Sequence, residues 1–152
     1  MKKVKDILAS KGSEIVSIGM EALVIDALVK MAEKNIGAIV VTNDAGKLVG
    51  IFSERDFARK IIIKGRNCDM SQVKEIMTPD PWFVELDTPI EDCLKLMTAR
   101  KFRHLPVKDG DKLVGVVSIG DIVKAYIEEQ GHIISSQAFE IGQMERTIPG
   151  AI

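Results

Sequence analysis

The segment KLVGIFSERD at Lys47–Asp56 occurs again as KLVGVVSIGD at Lys112–Asp121, 65 positions later. Both copies have Lys, Leu, Val, Gly, Ser and Asp at the same places, while the residues between them differ. Core packing alone does not require this, because a core needs only apolar side chains of suitable volume. The repetition therefore predicts two copies of one structural unit within the chain.

The repeat extends over most of the chain when the hydrophobic pattern is followed outward. In the first half a helical pattern, ALVIDALVKMAEKN, precedes an apolar strand, IGAIVVT, a turn and a second strand, LVGIFS. The second half has the same order through FRHLPV and LVGVVS. A short strand comes before each first helix, at EIVSI and WFVEL, and each repeated serine opens a last helix that ends at a glycine.

Two similar halves predict an α/β (α+β) fold of two pseudo-twofold-related repeats, each a small three-stranded sheet packed with two helices. We expect repeat 1 at 4–66, repeat 2 at 67–130 and a C-terminal tail at 131–152. A copy of about 60 residues buries little apolar surface alone, so the halves should pack together and form a ligand cleft at their midline. The tail is open to two interpretations, a short amphipathic helix from Ser136 or a frayed end.

Composition excludes several classes of protein. The net charge of −1 gives no overall field for nucleic acid or an anionic membrane, and no apolar run approaches the length of a membrane helix. The N-terminal residues lack the apolar core of a secretory signal, so we expect a cytoplasmic protein. Cys68 and Cys93 lie 25 residues apart without metal-ligand spacing, and we predict no metal.

Residue types of a catalytic triad are present, but not in a catalytic pattern. Ser118, His104 and Asp121 lack the G-x-S-x-G context of a nucleophile elbow. No glycine-rich loop with lysine and no acidic metal cluster is found, as a phosphate-handling enzyme would need. We therefore predict that the protein is not an enzyme.

Each repeat contains Ser-x-x-Asp, at Ser53–Asp56 and Ser118–Asp121. One interpretation is a capping box, in which the serine and the carboxylate only cap a helix. The other is a nucleotide site, because a helix N-terminus attracts phosphate and a carboxylate accepts hydrogen bonds from the two hydroxyls of a ribose. The glycines at Gly50 and Gly115, three residues before each serine, would allow backbone or ligand to approach closely.

These paired motifs resemble the tandem cystathionine-β-synthase (CBS) domain, also called the Bateman module. The segment VKEIMTP is similar to the lead-in of that family, RHLPV to its second-strand signature, and SERDFARKIIIKGR to its stand-alone members. The resemblance implies a non-catalytic regulatory module that binds AMP, ADP, ATP or NAD, with S-adenosylmethionine less favoured. It also implies a homodimer, a disc of four CBS domains, acting on an unknown regulated target protein.

The resemblance also implies two nucleotide sites, each with one wall from the opposite repeat. The first combines Asp56, for the ribose, with Ser53, Thr78, Phe102, Arg103 and His104, and Arg55 is added to it from the basic run that follows Ser53. The second combines Asp121 with Ser118, Ile15, Ile36, Gly37 and Ala38. ILAS at residues 7–10 departs from IMTP, and the first half lacks the arginine and histidine of RHLPV. We therefore expect unequal sites, with phosphate preferred beside Asp56.

The run of Arg55, Arg59, Lys60, Lys64 and Arg66 has two interpretations. It could reach a second phosphate or an acidic partner, or it could be a solvated helix face, which we favour for all but Arg55 and Arg59. A rival function remains for the whole chain: a ligand-free interaction or dimerisation module on the same scaffold. Nucleic-acid binding through the basic run is disfavoured by the balanced net charge.

Overall fold

A computed structural model describes residues 1–131 of the chain, so the predicted tail helix lies outside the described residues. The helices are α1 Val4–Lys11, α2 Val24–Lys34, α3 Glu54–Asp56, α4 Val73–Ile76, α5 Ile90–Arg100 and α6 Ile119–Glu129. The strands are β1 Ser17–Gly19, β2 Ala38–Thr42, β3 Leu48–Ser53, β4 Thr78–Pro79, β5 Val84–Glu85, β6 His104–Asp109 and β7 Lys112–Ser118. Helix α3 continues directly into a π-helical segment, Phe57–Ile62.

The two predicted small sheets are confirmed. In the first, β1 pairs parallel with β2, and β2 pairs antiparallel with β3. In the second, β5, β6 and β7 pair in the same pattern. The first sheet differs from the prediction by a fourth strand, because β4 adds antiparallel to β3 with Thr78 opposite Ile51.

The lead-in helices α1 and α4 are exchanged between the halves. Val4, Ile7 and Leu8 of α1 are buried in the core of the second repeat, whereas Val73 and Ile76 of α4 are buried in the core of the first. Backbone hydrogen bonds repeat this exchange, with Val4 N donating to Thr88 O at 3.0 Å and Val73 N to Ala22 O at 2.8 Å. The core of each repeat is therefore completed by the lead-in helix that comes before the other repeat in the sequence.

The two repeated glycines make room for these lead-in segments. A Cβ at Gly115 would lie 2.8 Å from Leu8 Cδ2, and a Cβ at Gly50 would lie 3.0 Å from both Met77 Cγ and Thr78 O. Both distances are below ordinary van der Waals contact. The sequence allowed either backbone or ligand to approach these glycines closely. In the structure, the protein's own chain packs against each of them.

Helices α2 and α5 end alike and direct the chain toward the midline. Asn35 and Lys101 follow them in the left-handed conformation, with φ of 54° and 59°. Because this conformation stops a helix and reverses the chain, β2 and β6 begin shortly afterwards. The segments 36–38 and 102–104, which carry six of the predicted site residues, are thus placed equivalently in the two halves.

Candidate functional site

A cleft of about 510 Å³ lies between the two repeats. Its volume is within the usual range for small-molecule sites. Seven of its lining residues are those expected around Asp56: Ser53, Arg55, Asp56, Thr78, Phe102, Arg103 and His104. The other lining residues are Gly37, Ala38, Ile51, Glu54, Arg59, Lys60 and Lys101. The first repeat supplies one wall, the segment 101–103 and β6 supply the other, and Thr78 of the lead-in strand contributes a hydroxyl.

Asp56 is held in the cleft by hydrogen bonds to both carboxylate oxygens, and the residue is 8% exposed. Its Oδ2 accepts from Ser53 N at 3.0 Å and from Ser53 Oγ at 3.1 Å. Its Oδ1 accepts from Thr78 Oγ1 at 3.1 Å and pairs with Lys60 Nζ at 3.1 Å. The capping box is therefore formed, and the carboxylate that completes it borders the cleft.

The cleft is rich in cationic side chains that come from both repeats. Arg55 reaches across it, and Arg55 Nη1 donates to Lys101 O at 3.4 Å. Within residues 1–131, the side chains of Arg59, Lys101 and Arg103 form neither ion pairs nor hydrogen bonds. Because these charges are unpaired, the cleft has a local excess of positive charge although the chain as a whole has a net charge of −1.

His104 lies at the start of β6, in register with Ser118 of β7. Burial lowers the pKa of its imidazole below 6.5. The negative charge of Asp121 opposes this shift, while the positive charges of Lys11 and Arg103 reinforce it. His104 is thus neutral near pH 7 and faces the cleft as a hydrogen-bonding ring.

The equivalent position around Asp121 is occupied by a lysine of the same chain. Lys11 Nζ lies 2.7 Å from Asp121 Oδ2 and also donates to Val116 O at 3.1 Å. Burial favours a higher pKa for Asp121, but hydrogen bonds from Lys11 and the Ser118 backbone, with the charge of Lys11, lower that pKa below its ordinary value. The cavity that remains beside Asp121 is about 90 Å³. The predicted inequality of the two positions is therefore present in the geometry.

Four residues predicted for the Asp121 site lie elsewhere. Gly37 and Ala38 line the Asp56 cleft, because β2 pairs with β3 and sets Ala38 opposite Ser53. Ile36 borders a separate cavity of about 230 Å³ beside α2. Ile15 borders a groove between α1 and β7. Ser118 does contact Asp121, whose backbone N–H donates to Ser118 Oγ at 3.1 Å.

Several residues of the site were missed by the sequence interpretation. Lys60 was assigned to a solvated face, but its Nζ pairs with Asp56 and donates to Ile76 O at 3.0 Å. Its position four residues after Asp56 on one helix was a usable signal. Lys101 and Lys11 gave no such signal, because they reach their positions through the packing of distant segments.

The structure also bears on metals and membranes. Within residues 1–131, no three His, Cys, Asp or Glu side chains are grouped so that they could hold a metal ion. In the same part of the chain, no helix has the length and apolar character that crossing a membrane requires.

Comparison with known proteins gives consistent results. The CBS domain family matches residues 4–63 and 73–128. The mitochondrial CBS domain-containing protein CBSX3 of Arabidopsis thaliana is 34% identical over 134 residues, which are 83% of this chain and 65% of the relative, so this chain spans less than two thirds of that protein.

Two solved structures have the same fold. A CBS-domain protein of Burkholderia ambifaria has a TM-score of 0.81 and 42% identity over 86% of this chain and 98% of its own. CBSX2 in complex with AMP has a TM-score of 0.72 and 29% identity over 86% of this chain and 99% of its own. Two matched repeats, two equivalent sheets and one midline cleft together show that the chain belongs to the CBS domain family, as a pair of CBS domains.

Proposed function

We propose that this protein is a non-catalytic regulatory sensor that binds an adenine nucleotide in the Asp56 cleft. The observation that carries the proposal is the cleft itself, which gathers all seven residues expected around Asp56 from separate parts of the chain. The AMP complex of CBSX2, a relative with the same fold, supports an adenine ligand. AMP, ADP, ATP and NAD are the candidates, and S-adenosylmethionine is less favoured because the cleft is cationic.

The residues of the cleft divide into three kinds that suit the parts of a nucleotide. Asp56 accepts hydrogen bonds from ribose hydroxyls, which take the place of the hydroxyl of Thr78 on Oδ1. Phe102, Ile51 and Ala38 offer apolar surface to the adenine ring. Arg103 supplies a charge-assisted hydrogen bond to phosphate.

We expect one nucleotide per chain. The Asp56 cleft has the volume for a ligand, whereas the Lys11 ion pair and a cavity of about 90 Å³ leave little room at Asp121. Calorimetric titration with AMP, ATP, NAD and S-adenosylmethionine tests this. Asp56→Asn should abolish binding, because it removes the charge while keeping the size of the side chain. Asp121→Asn is the matched control and should leave the affinity unchanged.

The rival proposal is a ligand-free interaction module. It is favoured by the hydrogen bonds of both Ser-x-x-Asp segments, which satisfy the serine and carboxylate of each as caps. On that view no nucleotide binds at millimolar concentration, and each aspartate variant loses only about 1 kcal/mol of folding free energy. The same titration, with folding checked by circular dichroism, separates the two proposals.

The signal would leave the molecule through protein contacts. We propose a homodimer with four CBS domains in a disc, in which nucleotide binding shifts the relative tilt of the repeats and so the surface offered to a regulated target. An exposed apolar row on α6, formed by Ile119, Val123 and Tyr126, supports a protein interface. The cytoplasmic location stays a prediction.

A further inference from the structure

The cationic side chains of the cleft exceed what one phosphate uses. Five cations and two carboxylates line it, namely Arg55, Arg59, Lys60, Lys101 and Arg103 against Glu54 and Asp56. Lys60 is paired with Asp56, which leaves four cations facing the single charge of Glu54. A local excess of this size in a chain of net charge −1 is a property of the cleft, not of the surface in general.

These cations are distributed along the cleft. Arg55 and Arg59 are four residues apart, so they project from one face of the helical segment on successive turns. Lys101 and Arg103 face them from the other repeat. The hydrogen bond from Arg55 to Lys101 O connects the two walls of the cleft. One turn of helix on one side and residues 101–103 on the other therefore place cationic side chains at more than one point along the cleft.

Within residues 1–131, Glu54 is the one carboxylate of the cleft that remains to offset these four cations, because Asp56 is paired with Lys60. Arg66, on the same basic run, lies 3.9 Å from Glu75, and Lys11 and Lys60 also have carboxylate partners. Within residues 1–131, Arg59, Lys101 and Arg103 have no such partner. Clustered unpaired cations repel one another, and a bound polyanion relieves this repulsion.

We infer that the Asp56 cleft selects adenine ligands with two or more linked phosphates over those with one, the second phosphate lying between Arg59 and Lys101. This inference rests on the proposed nucleotide site, since Asp56 fixes the nucleoside end. ADP, ATP and NAD share the linked phosphates, and AMP lacks them. Arg59 and Lys101 are then specificity-determining residues, whereas Arg103 serves the first phosphate.

The test is calorimetric titration of the full chain with AMP, ADP, ATP and NAD at one fixed salt concentration, because exposed charges are screened. The wild type should bind at least one linked-phosphate ligand about tenfold more tightly than AMP, as expected for one added charge-assisted contact. Arg59→Met and Lys101→Met should each weaken binding of that ligand and bring its affinity close to the affinity for AMP. Lys64→Met is the matched control, because Lys64 is exposed on the same basic run and lies outside the cleft.

The four ligands also show which kind of linked phosphate the cleft recognises. A higher affinity for ATP and ADP than for NAD would indicate that a terminal phosphate is recognised. A higher affinity for NAD than for both would indicate that an internal pyrophosphate is recognised. Equal affinity for AMP and the other three, with Asp56→Asn abolishing all binding, would overturn this inference and leave the proposed function standing. If none of the four ligands binds, both this inference and the proposed function are overturned.

Discussion

His104 is a single residue whose environment makes stability depend on pH. Its pKa is lowered by burial, so the unfolded chain binds a proton to this side chain more readily than the folded chain does. Stability from the neutral ring is therefore fully present above the unfolded pKa of about 6.5 and is lost as pH falls through the lower folded value.

We expect the free energy of unfolding to decrease between pH 7 and pH 5, as measured by urea denaturation. His104→Gln keeps a hydrogen-bonding side chain without a titratable group, so its stability should decrease less over the same range. Parallel curves for the two proteins would contradict the assignment. The carboxylates contribute equally to both, because the substitution leaves them unchanged.

Gly115 is a second residue with a measurable consequence. A methyl group at this buried position would lie 2.8 Å from Leu8 Cδ2, so Gly115→Ala should destabilise the protein by about 1–3 kcal/mol through overpacking. Gly19→Ala is the matched control, because nothing lies within 4 Å of a Cβ there and its backbone is not left-handed. Thermal or urea unfolding measures both. Equal stability of the two variants would show that α1 moves aside without cost.

At the scale of elements, α1 carries the lysine that occupies the Asp121 position. Removal of the charge by Lys11→Met should raise the pKa of Asp121, because burial then acts with less opposition. A carboxyl-detected NMR titration follows this carbon directly. Lys5→Met is the control on the same helix, since Lys5 pairs with Asp87, and it should leave the pKa of Asp121 unchanged. The same pKa in all three proteins would mean that the Lys11 contact is not populated in solution.

Which elements could be predicted from the sequence depends on how local their causes are. The strands and main helices follow from hydrophobic periodicity, and the Ser-x-x-Asp caps follow from residues three apart. The residues that the family resemblance predicts around Asp56, among them Thr78, Phe102 and His104, line one cleft in the structure, and their role in binding stays a prediction.

The remainder depends on strand register and on how distant segments pack. The pairing of β2 with β3 brings Gly37 and Ala38 to the Asp56 cleft, and the exchange of α1 brings Lys11 to Asp121. The first depends on the register of the β2–β3 hairpin, which the strand pattern does not specify, and the second joins residues 110 positions apart in sequence. The fourth strand of the first sheet has the same cause, since β4 reaches β3 from the lead-in of the other repeat.

At the scale of the whole molecule, α6 presents the apolar row Ile119, Val123 and Tyr126 at helical spacing. Val123, at the centre of the row, is 42% exposed. If a second copy covers this row, Val123→Lys should shift the protein from dimer to monomer in size-exclusion chromatography with light scattering. Met70→Lys, at an exposed apolar residue in the connector between the repeats, should leave the mass unchanged. A wild-type monomer, or a variant that stays dimeric, would remove α6 as the interface.

The exchange of lead-in helices also limits how the gene for this protein can recombine. A single repeat cut out between residues 66 and 67 would carry a helix that fits its neighbour and would lack the helix that covers its own sheet. Only the pair of repeats contains the covering helix of each sheet. Transfer of this module into another gene must therefore move both repeats together, and a chain divided between them yields fragments suited to complementing one another.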